Sequence, residues 1–270
     1  MAARSLGNGD GPVLGCRRLI AGAAAADEGD DRRHPMGAPD AWIRPEFMTV
    51  LRDAATIIVL RDAATRPAVL MGQRGASMAF MPGKFVFPGG AVDPNDSRIP
   101  LPDLSPRDHA RLQADSALAP DSLAAAAIRE LWEETGQILG APAQWPDPPQ
   151  GWRGFAATGH RPNGAALQFF FRAVTPVGAP RRFDARFFLA NAADLVTDPD
   201  DFTRAEDELA NLQWVALDQA RSFDLPFITQ VVLAELMGHI RRGGDLADVP
   251  FFRNDDEAHL VSRLGGRSPL

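Results

Sequence analysis

Apolar residues fall along the chain in short blocks, and the period inside each block predicts an element. Ala55-Thr56-Ile57-Ile58-Val59-Leu60 is β-branched and does not alternate, the pattern of a central strand covered on both faces. A turn through Asp62 to Pro67 leads to a second strand over 68–71, which makes a hairpin. Lys84-Phe85-Val86-Phe87 is a short strand stopped by a Pro88-Gly89-Gly90 turn. Residues 97–121 are mostly polar, with a helix near 108–118. The four alanines 124–127 favour a stronger helix over 123–135, capped by Asp121 or Ser122 and ended by Gly136. A Pro-rich loop spans 142–149, and strands are predicted over 166–174, 183–189 and 212–215. An amphipathic helix over 227–241 places Val231, Leu233, Leu236 and Ile240 on its apolar face, and a short edge strand lies near 250–253. Strands and helices intermix without an internal repeat, which predicts an α/β (α+β) sandwich.

The chain has 270 residues, enough for one large domain, which we place over 41–270. Residues 1–40 lack periodicity and read as a flexible or loosely packed arm, although Arg17-Arg18 followed by a short apolar stretch resembles a weak targeting signal. Trp42, Ile43 and Phe47 are expected to pack back onto the core. The net charge of −7 argues against a polymeric nucleic-acid partner, which needs a basic surface. The single cysteine, Cys16, excludes an intrachain disulfide, and the five scattered histidines show no zinc spacing. No apolar run reaches 18 residues, so no membrane partner is expected and the chain is placed in the cytoplasm.

Candidate chemistry concentrates in Arg129-Glu130-Leu131-Trp132-Glu133-Glu134-Thr135-Gly136. On a helix, Glu133 and Glu134 follow Glu130 by three and four residues, so the three carboxylates share one face. They repel one another, and a cation relieves that penalty. Mg²⁺ suits such an oxygen set and bridges readily to phosphates. Upstream, Gly89 and Gly90 allow a tight turn or a close backbone approach to a ligand.

Together these residues resemble the signature of the Nudix hydrolases, G-x5-E-x7-R-E-U-x-E-E-x-G-U, where U is bulky and aliphatic. Gly90 stands at its opening glycine and Asp96 at its first glutamate; Arg129, Glu130, Leu131, Glu133, Glu134 and Gly136 match its second half in order. Gln137 takes the final aliphatic place, and 32 residues, 97–128, stand where the family has seven. The split box, the stretch from Thr175 to Ala190 and the entry from Glu208 to Trp214-Val215 are similar to a coenzyme A diphosphatase subgroup with a long insert. Leu70-Met71-Gly72-Gln73-Arg74 and Gly83 fit that subgroup's upstream motif in part, while Met81 and Pro82 stand near the place of its usual histidine.

The resemblance implies a Nudix-type α/β/α sandwich with a mixed central sheet, and hydrolysis of a nucleoside diphosphate linked to another moiety. It implies Mg²⁺ or Mn²⁺ held by Glu133, Glu134 and Glu130, with the Gly89 carbonyl and Asp96 as further ligands. Asp96 has an alternative role, positioning the helix through Arg129. Glu130 or Glu208 is the general base, with Glu206 in reserve, and Arg129 organises the carboxylates. Arg74, Arg181, Arg182 and Arg186 are candidate phosphate clamps, because guanidinium forks match phosphate oxygens; Asp184 and Arg186 share a strand face and could instead pair. Trp152, Phe155 and Arg161 join Arg181 and Arg182 as candidate readers of the substrate's organic arm. The insert, taken as 97–121, is expected to be a surface excursion near the mouth of the site, able to cover a long substrate or contact a second copy in a homodimer, and a short link in place of 98–119 is expected to preserve the fold. The substrate stays open among coenzyme A or its acyl derivatives, NADH, ADP-ribose, a dinucleoside polyphosphate and a damaged nucleotide; a non-catalytic binding module is the remaining alternative.

Overall fold

The computed structural model describes residues 50–253, apart from 77, 79 and 245, and the backbone of 261–263. The expected arm over 1–40, and Trp42, Ile43 and Phe47, lie outside the described residues.

The unbroken apolar run predicted as a central strand is the middle of β1, Leu51–Arg61, in which Ile57, Ile58 and Val59 are fully buried. One edge of β1 pairs in parallel along β8, Arg182–Asn191. Its other edge is divided. β2, Ala68–Arg74, takes the C-terminal end, and β4, Gly89–Ala91, takes Ala54 to Thr56. β3, Phe85–Val86, pairs with β2. Beyond β8 lie β7, Gln168–Val174, then β10, Pro250–Phe252, and β11, Val261–Arg263; β9, Leu209–Ala216, pairs with β2. Parallel pairs (β1 with β8, β7 with β10) and antiparallel pairs coexist, so the nine-stranded sheet is mixed, as expected. A separate ribbon joins β5, Gly140–Pro142, to β6, His160–Pro162.

Four helices accompany the sheet in the described residues: α1, Pro106–Gln113; α2, Pro120–Thr135; α3, Arg153–Ala156; and α4, Phe227–Arg241. α2 starts earlier than the Asp121 or Ser122 cap predicts. Its N-cap is Ala119, without a side-chain bond, and Pro120 opens the first turn, where its fixed φ suits a helix and its missing N–H costs nothing. Gly136 ends α2 in the left-handed region at φ 74°, as its identity predicts. Leu123 to Ile128 are fully buried and pack α2 onto β1; the alanines let the backbones approach closely. In α4 the expected Leu233 and Leu236 are buried and Val231 and Ile240 pack half-buried against the core, with Val232 buried beside them. No helix of the described residues is long and apolar enough to cross a membrane.

The insert is not a surface excursion. After a short 3₁₀ turn over Pro94–Arg98, it buries Ile99 and Leu101, then Leu112 of α1, in the main core. Its polar residues are committed as well. Ser105 caps α1 by accepting from the Asp108 N–H, and Arg111 donates to the carbonyls of Leu246 and Ala247. Arg172 of β7 donates to the carbonyl of Asp115, and Arg186 of β8 to the Ser116 hydroxyl. Those two strand arginines, with Asp184 and Asp53, form a buried charged seam under the insert.

Candidate active site

The diglycine forms a strand where a turn was expected, and strand geometry explains what it does. An antiparallel ladder alternates hydrogen-bonded and non-bonded pairs. The Ile57 N–H donates to the Pro88 carbonyl and the Val92 N–H to the Asp53 carbonyl, so the intervening pairs Thr56–Gly89 and Ala54–Ala91 are non-bonded. Gly89 and Ala91 therefore aim their backbone polar groups away from β1, towards α2. The Gly89 N–H donates to Glu134 Oε2 at 2.7 Å, and the Ala91 carbonyl accepts from Arg129 at 3.0 Å. Both glycines are required by space. A Cβ on Gly89 would lie 2.7 Å from the Ala55 carbonyl oxygen and the Thr56 Cα, and one on Gly90 2.5 Å from the Glu130 carboxylate.

Arg129 is the hub of the carboxylates. Its Nε and one terminal nitrogen clasp Asp96 at 3.0 Å each, and the other terminal nitrogen donates to Glu130 at 2.8 Å and Glu133 at 2.9 Å. Asp96 is fully buried and also accepts from the Trp152 indole N–H and the Asp93 N–H. It thus makes the contact of the second of its expected roles, fixing Arg129. Burial alone would lower the Arg129 pKa; the hydrogen bonds it donates to Asp96 and the charges of Glu130, Asp96 and Glu133 outweigh it and hold the guanidinium above its ordinary value.

The glutamates respond in the opposite sense. Burial pushes Glu130 up to about 7, against the charge and hydrogen bond of Arg129 and with added repulsion from Glu133 and Glu208. Burial likewise raises Glu133, with Arg129 opposing. Glu134 is raised well above its ordinary value by burial and by Glu130, although the Gly89 N–H favours its charged form.

Gly89 and Gly90 form one wall of a cavity of about 480 Å³. Thr56 and the alternate face of β8 (Phe183, Ala185, Phe187) floor it, and Phe227 to Thr229 of α4 close another side. Glu208 lines it too, paired with Arg74 at 3.1 Å. The Glu206 N–H donates to the Glu133 carbonyl at 2.9 Å, which draws the loop carrying Glu208 to the end of α2. Arg74 also donates through Nε to the Phe80 carbonyl, and Phe80 lies edge-on to Phe183 with ring centroids 5.3 Å apart.

Of the expected phosphate clamps, Arg74 and Arg181 reach the cavity. Arg182 and Arg186 do not, because period-2 alternation turns them to the other face of β8. Arg182 is buried and donates to the Thr175 carbonyl; Arg186 pairs with Asp184 and Asp53, the alternative its spacing allowed. Trp152 and Phe155 are fully buried and pack on one another, which removes them as readers of a ligand, and Arg161 lines a different cleft beside Trp145. Sequence reading missed Arg52 and Phe80, both of which line the cavity. Arg52 precedes the apolar run, but the alternation Arg52, Ala54, Thr56 continues the pocket face of β1 and could have revealed it.

Among the described residues no three Asp, Glu, His or Cys side chains are gathered into a metal cage, since Glu130 and Glu133 turn to Arg129 and Glu134 to Gly89. The donor set nevertheless fits a hard divalent cation in kind. It is all oxygen: three carboxylates (Asp96, Glu130, Glu133) share one guanidinium, Glu134 stands beside them on the Gly89 N–H, and burial, with repulsion among them, raises Glu130, Glu133 and Glu134.

A nudix hydrolase relative from Caenorhabditis elegans is 28% identical over 187 residues, which are 61% of this chain and 51% of its own length, so the chain spans about half of that protein. The crystal structure of a NUDIX hydrolase from Alicyclobacillus acidocaldarius is similar at 29% identity and a TM-score of 0.55, covering 71% of this chain and 93% of that one. The NUDIX domain of Shewanella oneidensis NrtR, solved with ADP ribose, matches 74% of this chain and 95% of its own at 12% identity and a TM-score of 0.42. The NUDIX domain profile matches residues 50–236, most of the chain, and it spans the split box with its insert. The chain belongs to the NUDIX domain family, that of the Nudix hydrolases.

Proposed function

We propose that the chain hydrolyses the diphosphate bond of a nucleoside diphosphate linked to a second moiety, with Mg²⁺ or Mn²⁺ as cofactor. The observation that carries this reading is the carboxylate cluster of α2, Glu130 and Glu133 held by Arg129 and Glu134 by the Gly89 N–H, backing the two glycines that line a cavity large enough for a nucleotide derivative. Glu133, Glu134 and Glu130 would hold the cation, with the Gly89 carbonyl beside them. Once bound, it supplies positive charge to the phosphoryl oxygens and a water of lowered pKa.

The chain's own residues do the rest. Arg129 keeps Glu130 and Glu133 on one side of α2, and the Gly89 N–H keeps Glu134 on the strand side. Glu208, oriented by Arg74, accepts the proton of the attacking water, whose oxygen bonds to phosphorus as the bridging P–O bond breaks and a phosphate leaves with the electron pair. Glu130, with its pKa near neutrality, is the alternative acceptor. The aromatic lining and Arg181 suit a bulky organic arm, and coenzyme A or an acyl derivative is the substrate we favour over NADH, ADP-ribose or a dinucleoside polyphosphate.

The test is a panel of those diphosphates with Mg²⁺ or Mn²⁺, products identified by mass. Glu134→Gln keeps an acceptor for the Gly89 N–H but loses the charge, so kcat should fall by about 10² or more with little change in stability. Undiminished turnover in this variant, or in excess chelator, would overturn the reading.

A further inference from the structure

The cavity has two ends of different chemistry, joined by a run of aromatic surface. The box end holds Gly89 and Gly90, with Glu208 as the single carboxylate of the lining, already paired with Arg74. The other end carries Arg52 and Arg181. The other arginines around the sheet and box are committed: Arg74 to Glu208 and the Phe80 carbonyl, Arg129 to the carboxylates, Arg172 and Arg186 to Asp184, Arg182 to Thr175. Arg52 and Arg181 are exposed at the cavity and, among the described residues, make no side-chain hydrogen bond or ion pair. Asp53, next to Arg52, points to the opposite face and holds Arg186, so it does not neutralise them.

Strand register brings these two arginines together. β1 and β8 run parallel with Leu51 opposite Arg182 and Arg52 opposite Phe183, which places Arg181 one step beyond the end of the ladder, opposite Val50 and diagonal to Arg52 on the cavity face. On the same face of β1, Thr56 marks the box end, because it lies opposite Gly89. Four residues of strand separate Arg52 from Thr56, about 13 Å at roughly 3.3 Å per residue, and the flexible arginine side chains can shorten that span. Phe183, with Phe80 edge-on, stands level with Arg52, Phe187 level with Thr56, and Ala185 between them, a surface suited to a planar group.

We propose that Arg52 and Arg181 form a second anion subsite, which binds a phosphomonoester carried on the nucleoside of the substrate, remote from the diphosphate that is cleaved. Two unpaired guanidinium groups match the two charges and several acceptor oxygens of a phosphomonoester better than the single charge of a carboxylate. The subsite selects among nucleoside diphosphate derivatives, and as a specificity device it rests on the hydrolase reading above.

The test uses ligand pairs that differ only in the remote phosphate. By equilibrium calorimetry on the full chain, adenosine 3′,5′-bisphosphate should bind about tenfold or more tighter than 5′-AMP. The preference should fall to about one in Arg52→Gln/Arg181→Gln, with the melting temperature checked to show that the variant folds. In turnover, the kcat/KM ratio of coenzyme A over 3′-dephospho-coenzyme A, and of NADPH over NADH, should collapse in the same variant, through KM. Equal binding of the two adenosine phosphates by the wild type, or a preference that survives in the double variant, overturns the subsite. A binding preference that the double variant loses, in a protein that turns over none of the diphosphates, upholds the subsite and overturns only the hydrolase reading.

Discussion

At the scale of single residues, the two box glycines separate a structural need from a chemical one. Gly89 abuts backbone, the Ala55 carbonyl and the Thr56 Cα, which cannot retreat without opening the β1–β4 pair. Gly90 abuts the far end of a side chain, the Glu130 carboxylate, which can swing but then leaves Arg129. We expect Gly89→Ala to cost stability by about 1–3 kcal/mol or more, the range for overpacking at a rigid contact. Gly90→Ala should keep most of its stability and lose activity, because it moves a carboxylate of the site. Urea denaturation and kcat measured on both variants separate the two effects, and a Gly90→Ala protein with wild-type kcat would show that the position of Glu130 does not matter. The residues of this box were legible in sequence because their types and spacing carry the chemistry. Which way each arginine points was not, since it depends on strand phase: Arg181 and Arg182 are neighbours, yet one meets the cavity and the other the Thr175 carbonyl.

At the scale of elements, strands and helices with an apolar core pattern are where the sequence places them, and departures have physical causes. β4 was hidden because Gly-Gly carries no side-chain pattern and its pairing with β1 is fixed by tertiary contact. The insert was hidden by its composition. α1 buries Leu112 among largely polar residues, and the charged ones act as donors to carbonyls from distant segments, so its average polarity looks like solvent-exposed chain. Closure entropy is indifferent to a long surface loop, but it does not govern a segment that supplies core side chains. Leu112→Ala should therefore cost about 2–5 kcal/mol, the range for large-to-small changes in a core. Replacing 98–119 by a Gly/Ser link should abolish cooperative unfolding, because it removes Ile99, Leu101 and Leu112 and uncovers the Arg172–Asp184–Arg186 seam. A sharp denaturation transition in the deletion variant, with the wild-type slope, would restore the surface-excursion view.

At the scale of the whole molecule, the fold holds a cluster of carboxylates at a level of burial that their own charge opposes, in a chain already carrying −7. This has a consequence for stability that can be read without substrate, in protein stripped of metal by a chelator. Glu130 titrates near 7 in the folded chain and at an ordinary value of 4.5 when its surroundings are removed, so between those values the native state binds more protons than the unfolded one. The slope of unfolding free energy with pH is then negative: stability falls as pH rises through that window and levels off above about 7. Glu133 and Glu134, both raised, act in the same direction. For Glu130 alone the loss is at most about 3 kcal/mol. Scanning calorimetry of the metal-free chain should therefore show a higher melting temperature at about pH 6 than at about pH 8. Relief of the general negative charge would also stabilise at lower pH, so the discriminating measurement is Glu130→Gln, in which the slope should flatten while the net charge changes by one unit. Adding Mn²⁺ at the higher pH should raise the melting temperature by mass action and weaken the pH dependence, since the cation then answers the charge that protons answer in its absence. A metal-free stability that is flat or rises across this interval would mean that burial in the fold does not raise these carboxylates.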